Sequence, residues 1–391
     1  MTIGFVIPRF SSLSETFIKS KIKVLESLGH EVTIFTKHTE NNYHYKIVPS
    51  PTTNELLLIQ MIKMLFQYFK LFLKRPKVFF NFIKFEKKDR ISFINRWKNL
   101  YLNSHILKED IDWLHFGFST MSINRENTAI SMSIPMSTSI RGYDICVYPL
   151  KNLDCYKKLW SKVDKVHSIS KTLVEISGIN TFDGDIMYNI ISPAIDIDTF
   201  KCSDKKLNSN IKKQKLQFLT IARLNWIKGL EFTLEALALL RSKGIDFHYN
   251  IIGAGAEYER LIFATHQLQL TKHVSFLGAV THNETRQFYN NSDIYLQYSI
   301  NEGFCNSVIE AQCMGLITIV SNSGGLTENV IHERTGWVVE KNSPQSLVDT
   351  IEHVIKKSNN EIYNVRKNAI NHVRENFNLE KQTIQLSKFF S

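Results

Sequence analysis

The sequence predicts an α/β protein of two domains, each built on a parallel β-sheet flanked by helices. One observation is length, because 391 residues exceed what a single hydrophobic core usually organises. Another is rhythm, since short apolar runs alternate with helical stretches and this alternation restarts after residue 215. A polar, lysine-rich stretch at 201–215 separates the halves and is typical of a linker or an exposed loop beside one.

The first half opens with a βαβ pattern. Residues 3–7 form an apolar strand candidate, 14–28 an amphipathic helix that stops at Gly29, and 32–36 a second strand. Further strands are expected at 112–116, 136–140 and 165–170. The N-terminus lacks the basic region of a signal peptide, and the five cysteines form no CxxC pair, so we expect reduced thiols and a cytoplasmic setting.

Most of the net charge of +11 lies in one segment, because residues 56–108 hold twelve Lys or Arg against two acids. Its first part is rich in Leu, Ile, Met and Phe, and its polar residues recur at helical spacing. They are Gln60, Lys63, Gln67, Lys70 and Lys74. This many polar groups argue against a membrane span.

The same pattern favours a helix lying on the surface of an anionic membrane, with the Phe-rich face down and the lysines at headgroup level. Residues 56–98 are the expected contact region. A core helix whose lysines reach out to solvent is the alternative. Nucleic-acid binding is the weakest interpretation, because the segment is aliphatic and contains no recognition motif.

The second half places predicted strands at 216–222, 247–252, 274–277, 294–297, 317–320 and 337–339. Ligands of open parallel sheets bind at the carboxyl ends of strands, so residues just after each strand are candidates for chemistry. Arg223 and Lys228 follow the first of these strands. They suit a diphosphate, Arg as a bidentate fork and Lys as a point charge, whereas solvated surface charges are the alternative.

Two short patterns are judged structural or incomplete. The glycine-rich turn at 253–259 lacks the third glycine of a dinucleotide fingerprint, because Tyr258 occupies that position. This excludes the NAD interpretation and leaves a backbone approach to some nucleotide or a simple tight turn. The Asp-x-Asp triplets at 183–185 and 196–198 have metal-ligand chemistry but arise readily by chance, so we interpret both as structural.

Glu302 and Glu310 stand eight positions apart around a predicted helix start at 306–307. The spacing places them on different faces, with Glu302 in a loop and Glu310 on the helix. A short strand then leads into a loop at 323–325 before another helix start. His115, after a strand, is a site residue or a buried histidine, and Cys305 and Cys313 are expected to be small core residues.

In this order the motifs resemble the retaining glycosyltransferases of family 4, which have the GT-B architecture of two Rossmann-like domains facing across a cleft. The resemblance spans nearly the whole chain. It is carried by residues 14–36, 115–117, 141–144, 192–200, 222–229, 276–280 and 302–325. It implies an acceptor-binding domain at 1–198, a nucleotide-sugar-binding domain at 199–376, and a C-terminal helix at 377–391 that returns to the first domain.

The resemblance also implies roles for single residues. Arg223 and Lys228 would hold the donor diphosphate, Glu302 the hydroxyls of the transferred sugar, and Glu310 the ribose. The other donor-binding candidates are Gly253, Gly278, Ala279, Val280, Gly303, Phe304, Ser323, Gly324 and Gly325. The acceptor-side candidates are Ser14, Glu15, His115, Arg141 and Asp144.

The expected activity is transfer of a hexose-type sugar from a UDP or GDP donor to a cell-envelope saccharide or a lipid-linked acceptor, without a bound metal or other cofactor. The enzyme would be cytoplasmic, or peripheral on the inner face of the plasma membrane. A non-hydrolysing nucleotide-sugar epimerase and a non-catalytic partner subunit of this fold are the alternatives. Two positions depart from the family pattern: many relatives have histidine in place of Arg141, and a glycine pair within 9–14.

Overall fold

The computed structural model describes residues 1–8, 16–37, 45–182, 186–212 and 214–391. Within these ranges the chain forms two compact units. The first comprises Met1–Ile169, Leu173–Ile191 and Thr383–Ser391, and the second comprises Ser170–Thr172 and Ser192–Gln382.

The described part of the first unit contains a seven-stranded sheet in the order β3-β2-β1-β4-β5-β6-β7, with every pairing parallel. Its strands are β1 Thr2–Val6, β2 Glu31–Thr36, β3 Lys46–Pro49, β4 Trp113–Phe116, β5 Met136–Ile140, β6 Lys165–Ser168 and β7 Met187–Ile190. Its helices are α1 Thr16–Ser27, α2 Leu57–Lys74, α3 Pro76–Lys88, α4 Phe93–Leu107, α5 Thr128–Met132, α6 Gly142–Cys146, α7 Tyr148–Lys151, α8 Lys157–Trp160 and α9 Lys171–Ser177.

The core of the first unit is closed by the end of the chain. Phe389 and Phe390 are buried and pack in one cluster with Phe5 of β1, Ile22 of α1 and Trp113 of β4. Trp113 and Phe390 meet edge to face with ring centroids 5.7 Å apart. Aromatic side chains bury large apolar areas, so the last residues of the chain form part of this core.

Helix α2 does not adopt the core-helix alternative. Leu71 is its buried residue, whereas ten of its apolar side chains are 41% to 75% exposed. The polar residues Gln60, Lys63 and Gln67 lie on the partly buried side instead. The helix is therefore amphipathic in the opposite sense to a core helix, with its polar side toward the protein.

The described part of the second unit contains a six-stranded parallel sheet in the order β10-β9-β8-β11-β12-β13. Its strands are β8 Leu216–Ile221, β9 Phe247–Ile252, β10 Val274–Phe276, β11 Ile294–Gln297, β12 Ile317–Ser321 and β13 Trp337–Val339. Its helices are α10 Asp204–Leu207, α11 Leu230–Ser242, α12 Tyr258–Gln267, α13 His282–Asn291, α14 Asn306–Cys313, α15 Leu326–Asn329, α16 Pro344–Lys356 and α17 Asn359–Asn376, and α18 Leu379–Phe389 begins here and ends in the first unit.

All twelve predicted strands and the parallel sheets are confirmed, with ends that shift by at most two residues. The two outermost strands of the first sheet, β3 and β7, were not predicted. The stretch 201–215 is not the exposed connection that its composition suggests. It lies in the second unit, where the buried Lys206 ammonium donates to the Asn290 carbonyl (3.1 Å) and Arg366 donates to the Ser209 carbonyl (2.6 Å).

Candidate functional site

The site in the second unit forms where the strand order reverses, between β8 and β11. Loops after these two neighbouring strands meet there, as expected for the ligand-binding edge of an open parallel sheet. Ile300, after β11, donates its backbone N–H to the carbonyl of Ile227, after β8 (2.9 Å). The loops that carry Lys228 and Glu302 are thus joined directly.

Close backbone packing fixes the loop after β8. Asn225 accepts a hydrogen bond from the Ile227 backbone N–H (3.2 Å) and so starts the turn Trp226–Lys228. Gly229 follows with φ +60°, and a Cβ there would lie 2.1 Å from the carbonyl oxygen of Tyr298. Only glycine permits this approach, which positions Lys228 against the loop after β11.

Lys228 and Glu302 form an ion pair, with side chains only 13% and 14% exposed. The Ser299 hydroxyl also donates to the Glu302 carboxylate (3.3 Å). Burial by itself lowers the pKa of the Lys228 ammonium, but the adjacent Glu302 carboxylate outweighs it, so this pKa lies above its usual value. The pair therefore keeps a permanent positive charge at the end of β8.

Arg223 is exposed and, among the described residues, makes no side-chain hydrogen bond or ion pair. Its charge is close enough to Lys228 to oppose the raised pKa of that ammonium. Arg223 and Lys228 thus place two positive charges near one carboxylate. A site of this charge suits an anionic ligand such as a diphosphate.

Glu310 lies on α14, apart from the Lys228–Glu302 pair. Its carboxylate accepts a hydrogen bond from the hydroxyl of Tyr289 (2.9 Å), which lies on α13. The hydroxyl is buried, and burial together with the negative charge of Glu310 raises the pKa of Tyr289. Glu310 is held in one orientation and does not share a proton with Glu302, so the two form no acid–base pair.

The loop at 323–325 packs on the backbone beside Glu302. Gly325 donates its N–H to the Glu302 carbonyl (2.7 Å). A Cβ on Gly324, whose φ is +53°, would lie 2.2 Å from the same carbonyl oxygen, and one on Gly325 would lie 2.0 Å from that of Gly303. Ser323 contributes a buried hydroxyl that has no hydrogen-bond partner among the described residues.

Two glycines at the ends of β9 and β10 also meet. Gly253 donates its backbone N–H to the Gly278 carbonyl (2.8 Å), and a Cβ on Gly253 (φ +141°) would lie 1.8 Å from the Ala222 carbonyl oxygen. By contrast, the Cβ position of Gly278 opens into free space. Ala279 is exposed and Val280 is half-buried, directly before the Thr281 cap of α13. This edge leaves room for a ligand.

Phe304 is a core residue, because its ring is buried and packs edge to face on Phe377 with centroids 5.3 Å apart. Only its backbone is suited to contact a ligand. Cys305 and Cys313 are buried as predicted, and burial, with smaller charge effects, raises the pKa of their thiols to about 11 and about 12. Neither thiol has the lowered pKa of a reactive cysteine.

The triplet at 196–198 has the structural role that we predicted. The Asp196 carboxylate accepts hydrogen bonds from the backbone of Asp198 (3.0 Å) and from the hydroxyl of Thr199 (2.7 Å). Its oxygens are thus used within a local turn. The triplet at 183–185 lies outside the described residues. Elsewhere in the described ranges, no group of three or more His, Cys, Asp or Glu side chains has the arrangement of a metal site.

The acceptor-side candidates in the first unit do not form one site. Ser14 and Glu15 lie outside the described residues. His115 is fully buried in the sheet, with Nδ1 2.7 Å from the Ser137 hydroxyl and Nε2 3.2 Å from the Lys21 ammonium. Burial lowers the pKa values of both His115 and Lys21. The prediction of His115 as an acceptor contact is therefore wrong, because β4 directs this side chain into the interior.

Asp144 and Arg141 lie at the start of α6, after β5. The buried Asp144 carboxylate accepts backbone hydrogen bonds from Ser119 (2.9 Å) and Arg141 (2.8 Å). Burial raises the pKa of Asp144 to about 7. The carboxylate thus holds two loops together, and Arg141, which is half-buried with its guanidinium 5.8 Å from the Phe118 ring centroid, is the member of this pair nearer to solvent.

Two partners of the predicted glutamates were missed. Ser299 supports Glu302, and Tyr289 supports Glu310. Ser299 lies three residues before Glu302, which is a signal only once the loop conformation is known. Tyr289 is separated from Glu310 by a strand and a loop, and no motif links the two.

Solved structures share this architecture over the whole chain. Sucrose-phosphate synthase from Thermosynechococcus elongatus matches with a TM-score of 0.75 at 16% identity, covering 100% of this chain and 98% of that one. Anabaena HepE, in complex with UDP and glucose, matches with a TM-score of 0.72 at 14% identity, covering 100% and 99%. The fold is GT-B.

The second GT-B unit also matches a family model. Residues 203–375 match the model described as Glycosyl transferases group 1. Across 99% of this chain and 98% of the relative, identity is 22% to the putative colanic acid biosynthesis glycosyltransferase WcaL of Salmonella typhimurium. The amylovoran biosynthesis glycosyltransferase AmsK of Erwinia amylovora is 28% identical over 39% of this chain and 40% of its own length, and the Escherichia coli WcaL match spans 42% of each.

These similarities support a group 1 glycosyltransferase with the GT-B fold, and several relatives are named for the biosynthesis of cell-envelope polysaccharides. Among the described helices of this GT-B chain, none is both long and apolar enough to span a bilayer.

Proposed function

We propose that this protein is a retaining glycosyltransferase that moves a hexose-type sugar from a UDP or GDP donor to a cell-envelope saccharide or a lipid-linked acceptor. The observation that carries the proposal is the Lys228–Glu302 pair at the reversal point of the second sheet, with Arg223 nearby. Two positive charges at a strand end suit a diphosphate, and the group 1 match lies over the same unit.

In the proposed reaction, breakage of the bond from the anomeric carbon to phosphate builds negative charge on the departing diphosphate. Arg223, Lys228 and the loop at 323–325 stabilise this charge without moving, because packing has already fixed their positions. The new bond forms on the face that the diphosphate leaves, and a phosphate oxygen takes the proton of the acceptor. No nucleophile from the protein enters this scheme.

The donor contacts follow from the loops around the pair. Glu302 binds hydroxyls of the transferred sugar, and Glu310 binds the ribose. The backbone N–H groups of Gly303 and Phe304 face the sugar, while the edge at 278–280 faces the base. Structures of HepE with UDP, and with UDP-glucose, favour a uridine donor over a guanosine donor.

We place the reaction on the cytoplasmic face of a membrane. The support is the exposed apolar side of α2, which offers a surface for lipid and hence access to a lipid-linked acceptor. Arg141, at the carboxyl end of β5 in the first unit, is the proposed acceptor-side or leaving-group contact that replaces the histidine of many relatives.

A two-part experiment tests this function. Thermal unfolding with UDP, GDP, UDP-glucose and GDP-mannose identifies the donor class, because a ligand at one hundred times its Kd stabilises the native state by about 2.7 kcal/mol. We expect Glu302→Ala to abolish sugar transfer while the protein stays folded. Glu259→Ala, a change at an exposed glutamate on α12, is the matched control and should retain full activity.

Proton NMR of the anomeric signal in the product then reports on stereochemistry. Retention supports the proposed mechanism, and inversion contradicts it. Conversion of the nucleotide sugar without any acceptor would favour the epimerase. Transfer by Glu302→Ala at the wild-type rate, or the absence of binding by all four nucleotides, would refute the assignment.

A further inference from the structure

A continuous apolar surface covers the outer side of α2 and adjoining parts of α3 and α4. We name it the α2 surface and define it by its large exposed apolar side chains. These are Leu57, Leu58, Ile59, Met61, Ile62, Leu65, Phe66, Phe69, Phe72 and Leu73 of α2, with Phe80 of α3 and Phe93 and Ile94 of α4. We propose that this surface inserts into the hydrocarbon edge of a phospholipid bilayer, and that apolar burial rather than lysine charge drives the binding.

The polar side of α2 is occupied by the protein itself. The Gln67 amide oxygen accepts a hydrogen bond from the Lys108 ammonium (2.6 Å), and the Tyr68 hydroxyl donates to the Trp97 carbonyl (2.7 Å). Gln60 likewise accepts from the Asn54 backbone N–H (2.9 Å). Because these contacts fix the rotation of the helix, its apolar side must face outward.

The outward side of α2 carries almost no polar chemistry. Its exposed polar residues are Lys70 and Lys74, near its C-terminal end, and the Lys70 ammonium lies 4.2 Å from the centroid of the Phe66 ring. A typical protein–protein interface is only slightly more than half apolar, and several hydrogen bonds orient the partner. A surface with this little hydrogen-bonding capacity therefore fits lipid chains better than a protein partner.

Charge around the surface also favours phospholipid. The two acidic residues of residues 56–98 face the interior of the unit. Glu86 is buried and accepts hydrogen bonds from Asn99 and Asn127 (both 2.8 Å), and Asp89 pairs with Lys162. The exposed rim is left to lysines and arginines, so anionic headgroups meet no opposing carboxylate from this segment.

Ring packing stiffens the inner edge of the α2 surface. Phe72 meets both Phe79 and Phe80 edge to face with centroids 5.9 Å apart, and Phe93 packs on Trp97 at 6.1 Å. The eighteen residues of α2 extend about 27 Å, so the surface lies along the membrane plane like other interfacial helices.

This inference deepens the proposed function by naming its partner, and it rests on that function only for the conclusion that the acceptor is lipid-linked. It also revises the expectation of lysines at headgroup level along the whole helix. Lys63 is turned toward the protein, with its ammonium 3.5 Å from the Thr52 hydroxyl. Lysine charge near the C-terminal end can strengthen binding to anionic lipid, but the apolar side chains supply most of it.

Flotation of the full-length protein with vesicles tests the inference. One set of vesicles is pure phosphatidylcholine, and the other contains phosphatidylglycerol in a one-to-three ratio. We expect binding to both sets, and binding that persists in 0.5 M NaCl, because salt screens charge but does not weaken apolar burial. Binding confined to phosphatidylglycerol and lost in 0.5 M NaCl would overturn insertion, as would no binding at all.

The test variant replaces Leu65, Phe66 and Phe69 by Ser. Each side chain loses apolar burial, so vesicle partitioning should fall by at least tenfold. The matched control replaces Leu239, Ile262 and Phe263 by Ser, which are exposed apolar residues of the second unit, and should partition like the wild type. An unchanged test variant would contradict the inference.

Two further measurements separate this inference from its neighbours. Both variants should bind UDP like the wild type, so a failure of sugar transfer and a failure of membrane binding remain distinguishable. Sedimentation velocity checks for a second copy of the chain, and a stable dimer that excludes vesicles would overturn the lipid assignment. Lipids brominated in the acyl chain should quench Trp97 fluorescence, and Trp97→Phe should remove that part of the quenching.

Discussion

The charge of Lys228 depends on its neighbour. Its ammonium is mostly buried, and burial alone favours the neutral amine. The Glu302 carboxylate reverses this preference and raises the pKa above the usual value of Lys. In the proposed function, a carboxylate that contacts the sugar therefore also preserves the positive charge that holds the diphosphate.

This dependence predicts a pH effect for Glu302→Gln. The wild-type pKa is raised, so Lys228 stays charged and UDP affinity stays constant until the pH approaches that raised value. Without the carboxylate the pKa of Lys228 falls, and UDP affinity should decline at a lower pH. Isothermal titration with UDP between pH 6 and 10 measures the difference, and Glu259→Gln is the control.

A Glu302→Gln profile that follows the wild type across this range would mean that Lys228 is not sustained by Glu302. A loss of UDP affinity at every pH, with no change in the shape of the profile, would instead assign Glu302 a direct role in binding alone.

The elements of both sheets could be predicted because each internal strand is a short apolar run between polar stretches. The edge strands β3 and β7 lack this signal, since β7 is exposed on all four residues and β3 ends at Pro49. The sequence also located Arg223, Lys228 and Glu302 at strand ends. It did not pair them, because the contact requires β8 to lie beside β11, and strand order is not encoded in local periodicity.

Burial was harder to predict than element type. Helical spacing in α2 showed one apolar side and one polar side, but it contained no information on which side the protein covers. For His115, position after an apolar run suggested the sheet edge, whereas β4 is buried on both faces. In each instance the missing information was tertiary contact.

The loop at 323–325 provides a prediction at the level of the element. Gly324→Ala places a Cβ against the Glu302 carbonyl in a left-handed conformation, and it should destabilise the protein by about 2–4 kcal/mol. The displaced loop should also weaken UDP binding at least tenfold. Denaturant unfolding and UDP titration are the measurements.

Gly244→Ala is the control for this change. Gly244 follows α11 with φ +79°, but no atom lies within 4 Å of its Cβ position. The left-handed conformation alone should cost about 1 kcal/mol and leave UDP binding unchanged. Equal losses of stability in the two variants would mean that contact with Glu302 contributes nothing.

At the scale of the whole molecule, the chain is divided so that its two ends belong to one unit. Phe389→Ala removes a fully buried ring from the core that holds Phe5 and Trp113, and it should lower the free energy of unfolding by about 3–5 kcal/mol. Ile384→Ala, at an exposed position of the same helix, should change it by less than about 0.5 kcal/mol. Denaturant unfolding measures both.

UDP affinity should survive Phe389→Ala in the native protein, because the donor site lies in the second unit. A loss of stability no larger than that of Ile384→Ala would show that the chain end is dispensable for the core.

The same arrangement governs the order of events during synthesis. Domains usually fold as they emerge, N-terminal domain first. Here the first unit lacks Phe389 and Phe390 until the second has been translated, a delay of about ten to forty seconds at ordinary elongation rates. During that interval the nascent first sheet presents an uncovered apolar face and the α2 surface together. Chaperones, or the membrane itself, would have their strongest hold on this protein before its last nine residues leave the ribosome.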